Sequence, residues 1–311
     1  MEIDLIYTWV DGNDPKWRLK HDAFTGKDSS SLNGKNCEGR FADNDELKFS
    51  LRSVEKYAPW IRKIYIVTDA QVPSWLDTSN TKIQIIDHKE ILPSDCLPTF
   101  NSDSIEHALY KIPGLSEWYI YANDDTFLNR EVSPSDFFTP DGRAIIRLNW
   151  RPLRRFTLWF REKILRHKTS NYNKKIQNAA RLIQKHYGRY FGSKTHHNID
   201  AYIKSSVAKT AALFEKEIAP TLRHHVRDDR DINRNLYSYA AIAEGKGVAK
   251  FVNQKTSFRL HTHKHRHYEK LERYNPVFFC INDSQFASDN DRIVAKEWLE
   301  KRFPAKSCFE K

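Results

Sequence analysis

Short apolar runs alternate with amphipathic stretches through the first 150 residues of the chain. The apolar runs predict β-strands, and they lie at residues 5–10, 63–69, 82–87 and 118–122. The amphipathic stretches predict helices over residues 45–57, with Asp43 or Asn44 as the cap, and from 102 to about 110. This alternation is typical of an α/β fold, a mostly parallel sheet with flanking helices.

Acidic residues follow three of the predicted strands. Asp11 comes after the first strand, Asp69 after the second, and Asp124 with Asp125 after the fourth. In open α/β sheets ligands bind beyond the carboxyl ends of the strands, because the loops converge there. The sequence therefore predicts that several carboxylates surround one pocket.

Beyond residue 150 the pattern becomes helical. Apolar residues recur every three to four positions between 176 and 191, and further helices are predicted over 199–217 and 231–243. The predicted organisation has three parts: an α/β part (1–150), a basic helical insertion or lobe (151–194), and the remainder of the chain (195–311).

The net charge of +11 originates in one segment of the chain. Residues 151–194 hold 13 Lys and Arg against the single acid Glu162, which leaves the other residues near neutrality. One basic segment on a neutral body indicates a docking surface and argues against nucleic acid as the partner. Apolar residues between 153 and 165 lie among these cations, which fits either a helix resting on anionic lipid or a core helix with a cationic outer face. The first interpretation predicts peripheral membrane contact through 151–194.

Neither a signal peptide nor a membrane span is predicted. The chain does not open with a charged region followed by an apolar one, and no run approaches the ~20 apolar residues of a spanning helix. Cys37, Cys96, Cys280 and Cys308 form no C-x-x-C pair, which predicts free thiols. The expected location is the cytoplasm, with peripheral contact at the inner face of the plasma membrane.

Adjacent carboxylates at the end of a strand are the sharpest chemical signal. Asp124 and Asp125 cannot both be buried without a cation, because each unpaired buried charge costs several kcal/mol. A divalent metal is the usual remedy, while a solvated turn is the alternative. Asp11, together with Trp9, also has two interpretations. The pair contacts a nucleotide or a metal, or the segment is a simple turn.

Further candidates lie along the rest of the chain. Asn101, Ser102 and Glu106 open a predicted helix, whose first N–H groups hold either a phosphate or only a capping side chain. Arg227 offers a two-pronged contact to phosphate, or it belongs to a solvated charge run. His197 suits general acid–base chemistry, although a histidine in such a pair is more often structural.

Two segments near the end of the chain also carry polar side chains. Asn282 and Asp283 follow the apolar run 277–281 and either join the pocket or form a turn. In residues 261–267 histidines alternate with other residues, so that an extended conformation would place them on one face. The interleaved Lys and Arg oppose zinc binding, and the run is interpreted as a basic surface for phosphate or an anionic acceptor.

In order along the chain, these motifs resemble the conserved regions of the Stealth family of sugar-phosphate transferases. The first region resembles residues 3–15, and the second resembles residues 45–60, 65–69, 97–102 and 123–125. The third and fourth regions resemble residues 197–200, 226–231 and 278–283. The family includes bacterial capsule and cell-wall polysaccharide phosphotransferases and the animal GlcNAc-1-phosphotransferase. Without the animal enzyme's membrane spans and inserted modules, this sequence resembles the bacterial type.

The resemblance implies that residues 1–150 form a nucleotide-sugar-binding part with a Rossmann-like or GT-A-like fold, and that residues 195–311 complete the catalytic domain with acceptor-site and phosphate-site motifs. It also implies transfer of a hexose-1-phosphate from a UDP-sugar to a polysaccharide or lipid-linked oligosaccharide acceptor, with release of UMP. Substrate-binding roles are implied for Trp9, Asp11, Arg52, Asn101, Ser102, Glu106 and Asp231. Contact with Mg²⁺ or Mn²⁺ is implied for Asp124, Asp125, Asn282 and Asp283. Arg227 is implied to grip the phosphoryl oxygens, and Asp125 or His197 to accept the acceptor's proton. The alternatives are a metal-dependent glycosyltransferase that releases UDP and a non-catalytic protein that binds an anionic polymer.

Overall fold

The computed structural model describes residues 1–25, 44–151, 153–284 and 286–311. In chain order its strands are β1 (Ile3–Thr8), β2 (Ile64–Thr68), β3 (Ile83–Asp87), β4 (Trp118–Asn123), β5 (Thr126–Leu128), β6 (Ala144–Leu148), β7 (Asp200–Ile203), β8 (Gly247–Phe251), β9 (Ser257–His261) and β10 (Phe278–Asn282). Its helices are α1 (Pro15–Thr25), α2 (Glu46–Tyr57), α3 (His88–Ile91), α4 (Ser102–Glu106), α5 (Arg154–Lys163), α6 (Asn171–Tyr187), α7 (Lys204–Leu213), α8 (Glu215–Arg223), α9 (Asn235–Ala243), α10 (Arg266–Tyr274) and α11 (Asp289–Arg302).

A five-stranded sheet in the order β3-β2-β1-β4-β7 organises the fold. Leu5 at the middle of β1 aligns with Ile64 of β2 and with Ile120 of β4, and both pairings are parallel. β7 joins the other side of β4 in the antiparallel direction. The four parallel strands therefore end at the same edge, as the alternating pattern of the sequence predicts, and the α/β class with flanking helices is confirmed.

Two smaller sheets extend the molecule beyond this edge. β10 pairs antiparallel with β5 and parallel with β9, and β6 pairs parallel with β8. Cys280 aligns with Thr126 in the first of these sheets. This register brings the residues that follow β10 next to the acidic pair that follows β4.

Apolar side chains of β1 pack on both faces of the central sheet. Leu5 and Tyr7 belong to a large cluster with α2, α6 and α9, whereas Ile6 packs into the cluster on the opposite face. A strand with both faces covered is almost continuously apolar, which matches the run seen in the sequence. Complete burial of a side chain such as Leu5 contributes about 1.5–3 kcal/mol.

Two predicted helices have different bounds in the structure. The helix predicted over 199–217 begins instead with β7, because a short apolar run fits a strand as well as a helix. The helix predicted from 102 to about 110 ends at Glu106 and is followed by a 3₁₀ turn at Leu109–Lys111.

Two other helices begin later than the patterns suggest. The helix predicted over 231–243 starts at Asn235. Asp45 is the residue before α2 and has a left-handed φ of 64°, so Asn44 is not its N-cap, and Asp43 lies outside the described residues.

The basic segment divides into two helices with different environments. In α6, Ile176, Ala179 and Ile183 are buried in the main core, as expected for a core helix with a cationic outer face. In α5 and its flanks, by contrast, large apolar side chains face solvent. α6 therefore fits the interpretation as a core helix, whereas lipid contact by α5 and the division into parts at 150 and 194 stay predictions.

Cys96, Cys280 and Cys308 are free thiols, as predicted, and Cys37 lies outside the described residues. Within the described ranges, none of the helices combines the length and the apolar character that crossing a bilayer requires.

Candidate active site

The loops that follow β1 and β2 are tied to each other by one amide side chain. The backbone N–H of Asp11 donates to Gln71 Oε1 at 3.0 Å, and Gln71 Nε2 donates to the Asp11 carbonyl at 3.0 Å. Asp11 Oδ1 accepts the Asn13 N–H at 2.8 Å, the geometry of an Asx turn. Asp69 forms an ion pair with Lys20 of α1. Two of the three predicted acidic positions therefore carry structural contacts at the sheet edge.

Trp9 is buried and packs in the main hydrophobic core, with 5% of its surface exposed. Its implied contact with the substrate is not what the structure shows, because the ring is covered by protein. The indole N–H is buried and has no hydrogen-bond acceptor among the described residues. An apolar run that continues one residue past the strand end explains this placement.

The predicted donor-pocket residues of α4 meet the loop that precedes α9. Asn101 Nδ2 donates to Asp231 Oδ2 at 3.0 Å, and Arg227 Nη2 donates to Ser102 Oγ at 3.2 Å. His224 Nδ1 lies 2.6 Å from Asp231 Oδ1. Burial raises the pKa of Asp231, and the contact with His224 opposes this rise. The fold thus brings Asn101 and Ser102 together with Asp231 and Arg227, which follow them by more than 120 positions in sequence.

Glu106 lies at the centre of a buried polar network. Tyr121 donates its hydroxyl to Glu106 Oε1 at 3.2 Å, and Arg234 Nε lies 3.4 Å from Glu106 Oε2. Arg234 also pairs with Asp200 and donates to the Tyr202 hydroxyl at 2.7 Å. Burial raises the pKa of Glu106, and the positive charge of Arg234 opposes this rise. Residues of several elements therefore hold Glu106, and this fixes the position of α4, the helix that begins at Ser102.

Asp125 and His197 come together as the two candidates for the proton acceptor. His197 Nε2 lies 3.7 Å from Asp125 Oδ2, and both side chains are about one-quarter exposed, at 27% and 24%. The Asp125 carbonyl accepts the Ile281 N–H at 2.9 Å, which fixes the loop after β4 against β10. Asp125 Oδ1 is buried and has no hydrogen-bond donor among the described residues.

The four residues proposed as metal ligands differ in their availability. Asp283 accepts from Arg292 Nε at 2.8 Å and from the Ser284 N–H at 2.6 Å, so its charge is already neutralised. Asn282 donates its amide to the Asp283 carbonyl at 2.8 Å, which leaves its amide oxygen as the donor atom for a cation. Asp124 Oδ1 accepts the Asp125 N–H at 3.1 Å. Across the described residues, no three His, Cys, Asp or Glu side chains are gathered so as to hold a metal.

Arg52 is placed in a different part of the molecule. Its Nε and Nη2 donate to the two carboxylate oxygens of Glu310 at 2.7 and 2.6 Å, and Nη1 donates to the Phe303 carbonyl at 2.8 Å. All three nitrogens of the guanidinium group thus hold residues 303–310 against α2. The structure gives Arg52 this structural contact in place of the predicted substrate contact.

Three important polar residues were not predicted from the sequence. Arg234 joins Glu106 to Asp200, His224 contacts Asp231, and Lys175 of the basic segment is buried in an ion pair with Asp103. The one available signal was the i,i+3/i+4 apolar pattern of α6, which places Lys175 beside the buried Ile176.

Comparison with known proteins finds related sequences. Residues 1–29 match conserved region 1 of Stealth proteins, and residues 40–146 match conserved region 2. The chain is 34% identical to the capsular polysaccharide phosphotransferase fcs1 of Haemophilus influenzae over 306 residues, which cover 95% of this chain and 81% of that protein.

Other similar proteins are matched over shorter lengths or at lower identity. An exopolysaccharide phosphotransferase of Lactiplantibacillus plantarum, cps2G, is 50% identical over 141 residues, which cover 45% of this chain and 40% of that protein. Among solved structures, the galactosyltransferase LgtC in complex with donor and acceptor sugar analogs aligns with a TM-score of 0.46 and 8% identity, over 98% of this chain and 96% of that one.

The sheet, the polar groups gathered at its carboxyl edge and the sequence matches define an enzyme of the phosphotransferase class. The chain belongs to the Stealth family.

Proposed function

We propose that this enzyme transfers a hexose-1-phosphate, such as GlcNAc-1-phosphate, from a UDP-sugar to a sugar hydroxyl during synthesis of capsular or other cell-surface polysaccharide. The acceptor oxygen forms a new bond to the phosphorus that carries the hexose, and the bond from that phosphorus to the UMP oxygen breaks. UMP leaves, a phosphodiester remains, and the hydroxyl proton passes to the enzyme. The observation that carries the proposal is the meeting of Asp125 with His197 at the sheet edge that also holds Ser102 and Arg227.

The two groups of side chains suit the two halves of the reaction. Arg227 and Ser102 present N–H and O–H donors, which favour the oxygens of a phosphoryl group. Asp125 and His197 are partly exposed and close together. Either side chain can accept the proton, and the other then orients the accepting side chain. Asn101 and Asp231 fix the loop that carries Arg227.

We propose further that Mg²⁺ or Mn²⁺ binds between Asp124, Asp125 and Asn282. Magnesium is commonly held by one or two carboxylates together with water and substrate phosphates, so three acidic side chains are not required. The buried Oδ1 of Asp125, without a donor among the described residues, fits such a cation. Arg292 holds the carboxylate of Asp283, so Asp283 does not bind the ion itself. Its backbone carbonyl accepts the Asn282 amide and so orients the amide oxygen of Asn282. The ion would supply charge neutralisation of the diphosphate.

The nucleotide product tests the proposal. Purified enzyme is incubated with UDP-GlcNAc or UDP-glucose, Mg²⁺ or Mn²⁺ and a mixed pool of sugar acceptors, and UMP is separated from UDP. Release of UMP that requires the acceptor supports phosphoryl transfer. Release of UDP would instead identify a glycosyltransferase. Binding of an anionic polysaccharide without release of either nucleotide would favour a non-catalytic binding protein.

Arg227→Ala is expected to lower kcat/KM for the donor by about 10- to 100-fold, because the variant loses charge-assisted hydrogen bonds worth about 1.5–3 kcal/mol. Initial rates of UMP release at several donor concentrations measure this effect. Arg230→Ala is the matched control, since Arg230 lies three residues away and its side chain is 76% exposed. Equal losses in both variants would contradict a phosphate contact by Arg227.

We also propose that the enzyme contacts the anionic inner face of the plasma membrane through α5 and its flanks. This surface exposes large apolar side chains at Trp150, Leu153, Phe156, Trp159, Phe160, Ile164 and Leu165. Their sequence neighbours include Arg151, Lys163, Arg166 and Lys168, and each basic residue near anionic lipid contributes about 1 kcal/mol. Aromatic rings beside cations are typical of helices that lie in the lipid headgroup layer.

Replacing both Phe156 and Trp159 by Ser is expected to reduce binding to phosphatidylserine-containing liposomes at least about 10-fold, because each exposed ring contributes burial energy in the lipid. Cosedimentation measures the bound fraction, with phosphatidylcholine liposomes as the reference lipid. Phe251→Ser is the control, since Phe251 is 57% exposed on β8. Unchanged binding of the double variant would refute the membrane contact.

Charge reversal at Lys174 or Lys175 is unsuitable for this purpose. Lys174 pairs with Asp229 at 2.6 Å, and Lys175 is buried against Asp103. Reversing the charge of Lys175 would leave a buried carboxylate uncompensated and damage the fold. Reversing that of Lys174 would break its partly exposed pair with Asp229, so neither variant reports on lipid binding alone.

A further inference from the structure

Helix α6 of the basic segment binds the loop that carries Arg227. The side-chain amide of Asn178 donates from Nδ2 to the Asp229 carbonyl at 3.1 Å and to the Asp231 carbonyl at 3.0 Å. An amide group has two N–H donors, so this loop occupies both of them. Lys174 lies one helical turn earlier on the same face, and its Nζ is 2.6 Å from Asp229 Oδ2. Two side chains of α6 thus hold the loop, and the contacts of Asn178 are made to the loop backbone itself.

The same helix also binds α4, the helix that begins at Ser102. Lys175 is buried in an ion pair with Asp103, which directly follows Ser102 in the sequence. Asp103 Oδ1 accepts from Asn233 Nδ2 at 2.9 Å, and Asn233 donates its backbone N–H to the Lys175 carbonyl at 3.4 Å. The two elements that carry Ser102 and Arg227 are therefore both fixed to α6.

The contact between Arg227 and Ser102 depends on the position of this loop. Ser102 Oγ lies 3.2 Å from Arg227 Nη2 and 3.4 Å from Arg227 Nε, distances at the long end of the range for a hydrogen bond. Residues 224–234 form neither a helix nor a strand between α8 and α9, so side-chain contacts fix the loop in place of a backbone ladder. A displacement of about 1 Å would separate the two groups, and an error of that size in a positioned group can cost about 100-fold in rate.

α6 lies outside the residues that match the conserved Stealth regions. Those matches cover residues 1–29 and 40–146, whereas α6 spans Asn171–Tyr187. The apolar face of α6 is buried in the main core through Ile176 and Ile183. A helix anchored in this way is a rigid support for a functional loop. The basic segment therefore contributes a fixed element at one side of the loop that carries the phosphate-binding arginine.

We propose that Lys174 and Asn178 are positioning residues, which hold the loop so that the guanidinium group of Arg227 reaches a phosphate of the donor beside Ser102. Both side chains act through the loop and neither is assigned a contact with the substrate. The inference rests on the proposed function and gives the basic segment a part in donor binding. Asn178 contributes more than Lys174, because the side chains of the Lys174–Asp229 pair are 40% and 37% exposed, and exposed ion pairs contribute little.

Binding of UDP, which is the donor without its hexose, tests the proposal without requiring turnover. Isothermal titration calorimetry of the full chain in the presence of Mg²⁺ measures the dissociation constant. We expect about 10-fold weaker binding in Asn178→Ala and about 2- to 3-fold weaker binding in Lys174→Met. Lys174→Arg, which keeps the charge, is expected to bind UDP like the wild type. Gln177→Ala is the matched control, because it removes the same amide group from the neighbouring position of α6, about 100° around the helix.

A double variant separates positioning of Arg227 from a general loss of structure. If Asn178 acts through Arg227, then Asn178→Ala weakens UDP binding little further once Arg227→Ala is present, because both changes remove the same contact. Melting temperatures measured in parallel show that each variant is folded during the titration. Additive losses in the double variant, or unchanged UDP binding in Asn178→Ala, would contradict the proposal and leave the proposed function intact. Failure of UDP to bind the wild-type protein would overturn the proposed donor together with this inference.

Discussion

Replacing Asp125 by Asn is expected to reduce the rate of UMP release by about a thousandfold, with little change in stability. The substitution keeps the size of the side chain but removes the negative charge beside His197, and loss of a positioned acid or base typically costs 10²- to 10⁴-fold. It also removes the carboxylate oxygen that has no donor among the described residues and that we assign to the cation. The measurement is kcat at saturating donor and acceptor, together with the melting temperature.

Asp141→Asn is the matched control for this experiment, because Asp141 is exposed in a turn between two strands and the chemical change is identical. His197→Gln then separates the two candidates for the proton acceptor. If His197 accepts the proton, this variant loses the acid limb of the kcat–pH profile, and if Asp125 does, the limb persists at a reduced rate. A fully active Asp125→Asn enzyme would eliminate both the base and the metal assignment.

Replacing Arg234 by Met is expected to lower the free energy of unfolding at pH 7 by about 3–5 kcal/mol, because removal of one partner leaves buried charges uncompensated. Arg234 is buried between Glu106 and Asp200, and each carboxylate approaches it from a different element. Urea denaturation of the two proteins measures the difference. Arg230→Met, at an exposed arginine, is expected to change stability by less than about 0.5 kcal/mol.

The stability difference between wild type and Arg234→Met is expected to shrink as the pH falls. Burial is the largest influence on Asp200 and disfavours its ionised form, but Arg234 and His196 together outweigh burial and lower the pKa of Asp200 below its ordinary value. Stabilisation by this pair is therefore present at neutral pH and is lost as the pH falls through the ordinary carboxyl range toward the folded-state pKa. In the variant, burial acts on Glu106 and Asp200 without the opposing charge of Arg234, and protonation of the carboxylates relieves its cost. A difference that grew in acid would refute this account.

The strands of the central sheet were predictable because protein covers both of their faces, which requires apolar side chains at nearly every position. β1, β2 and β4 are buried on both faces, so their sequences are continuous apolar runs bounded by turns. The edge strand β7 was not predictable, since four residues before a helix carry no period of their own. The meeting of Asn101 with Asp231 followed from family motifs and not from spacing, because it spans 130 residues.

Errors in the predicted site arose where a side chain has an unforeseen partner. Asp283 looked available after its strand, but Arg292, nine residues later on α11, holds its carboxylate. Arg52 was assigned to the substrate, but Glu310 at the far end of the sequence holds its guanidinium group. Lys175 looked like a solvated charge until α6 buried it against Asp103. Local sequence patterns predict burial well, but they do not predict ion pairs between residues that are distant in the sequence.

The position of β1 in the sheet has a consequence for synthesis of the protein. Leu5 aligns with residues 64 and 120, so β1 leaves the ribosome before the segments with which it pairs, which lie 59 and 115 residues later in the chain. Such separations imply a high contact order and slow closure of the sheet. Until β4 emerges, the nascent chain displays an apolar strand with an unpaired edge, the kind of surface that aggregates. We therefore expect the yield of folded enzyme to depend on chaperones and on a low rate of translation.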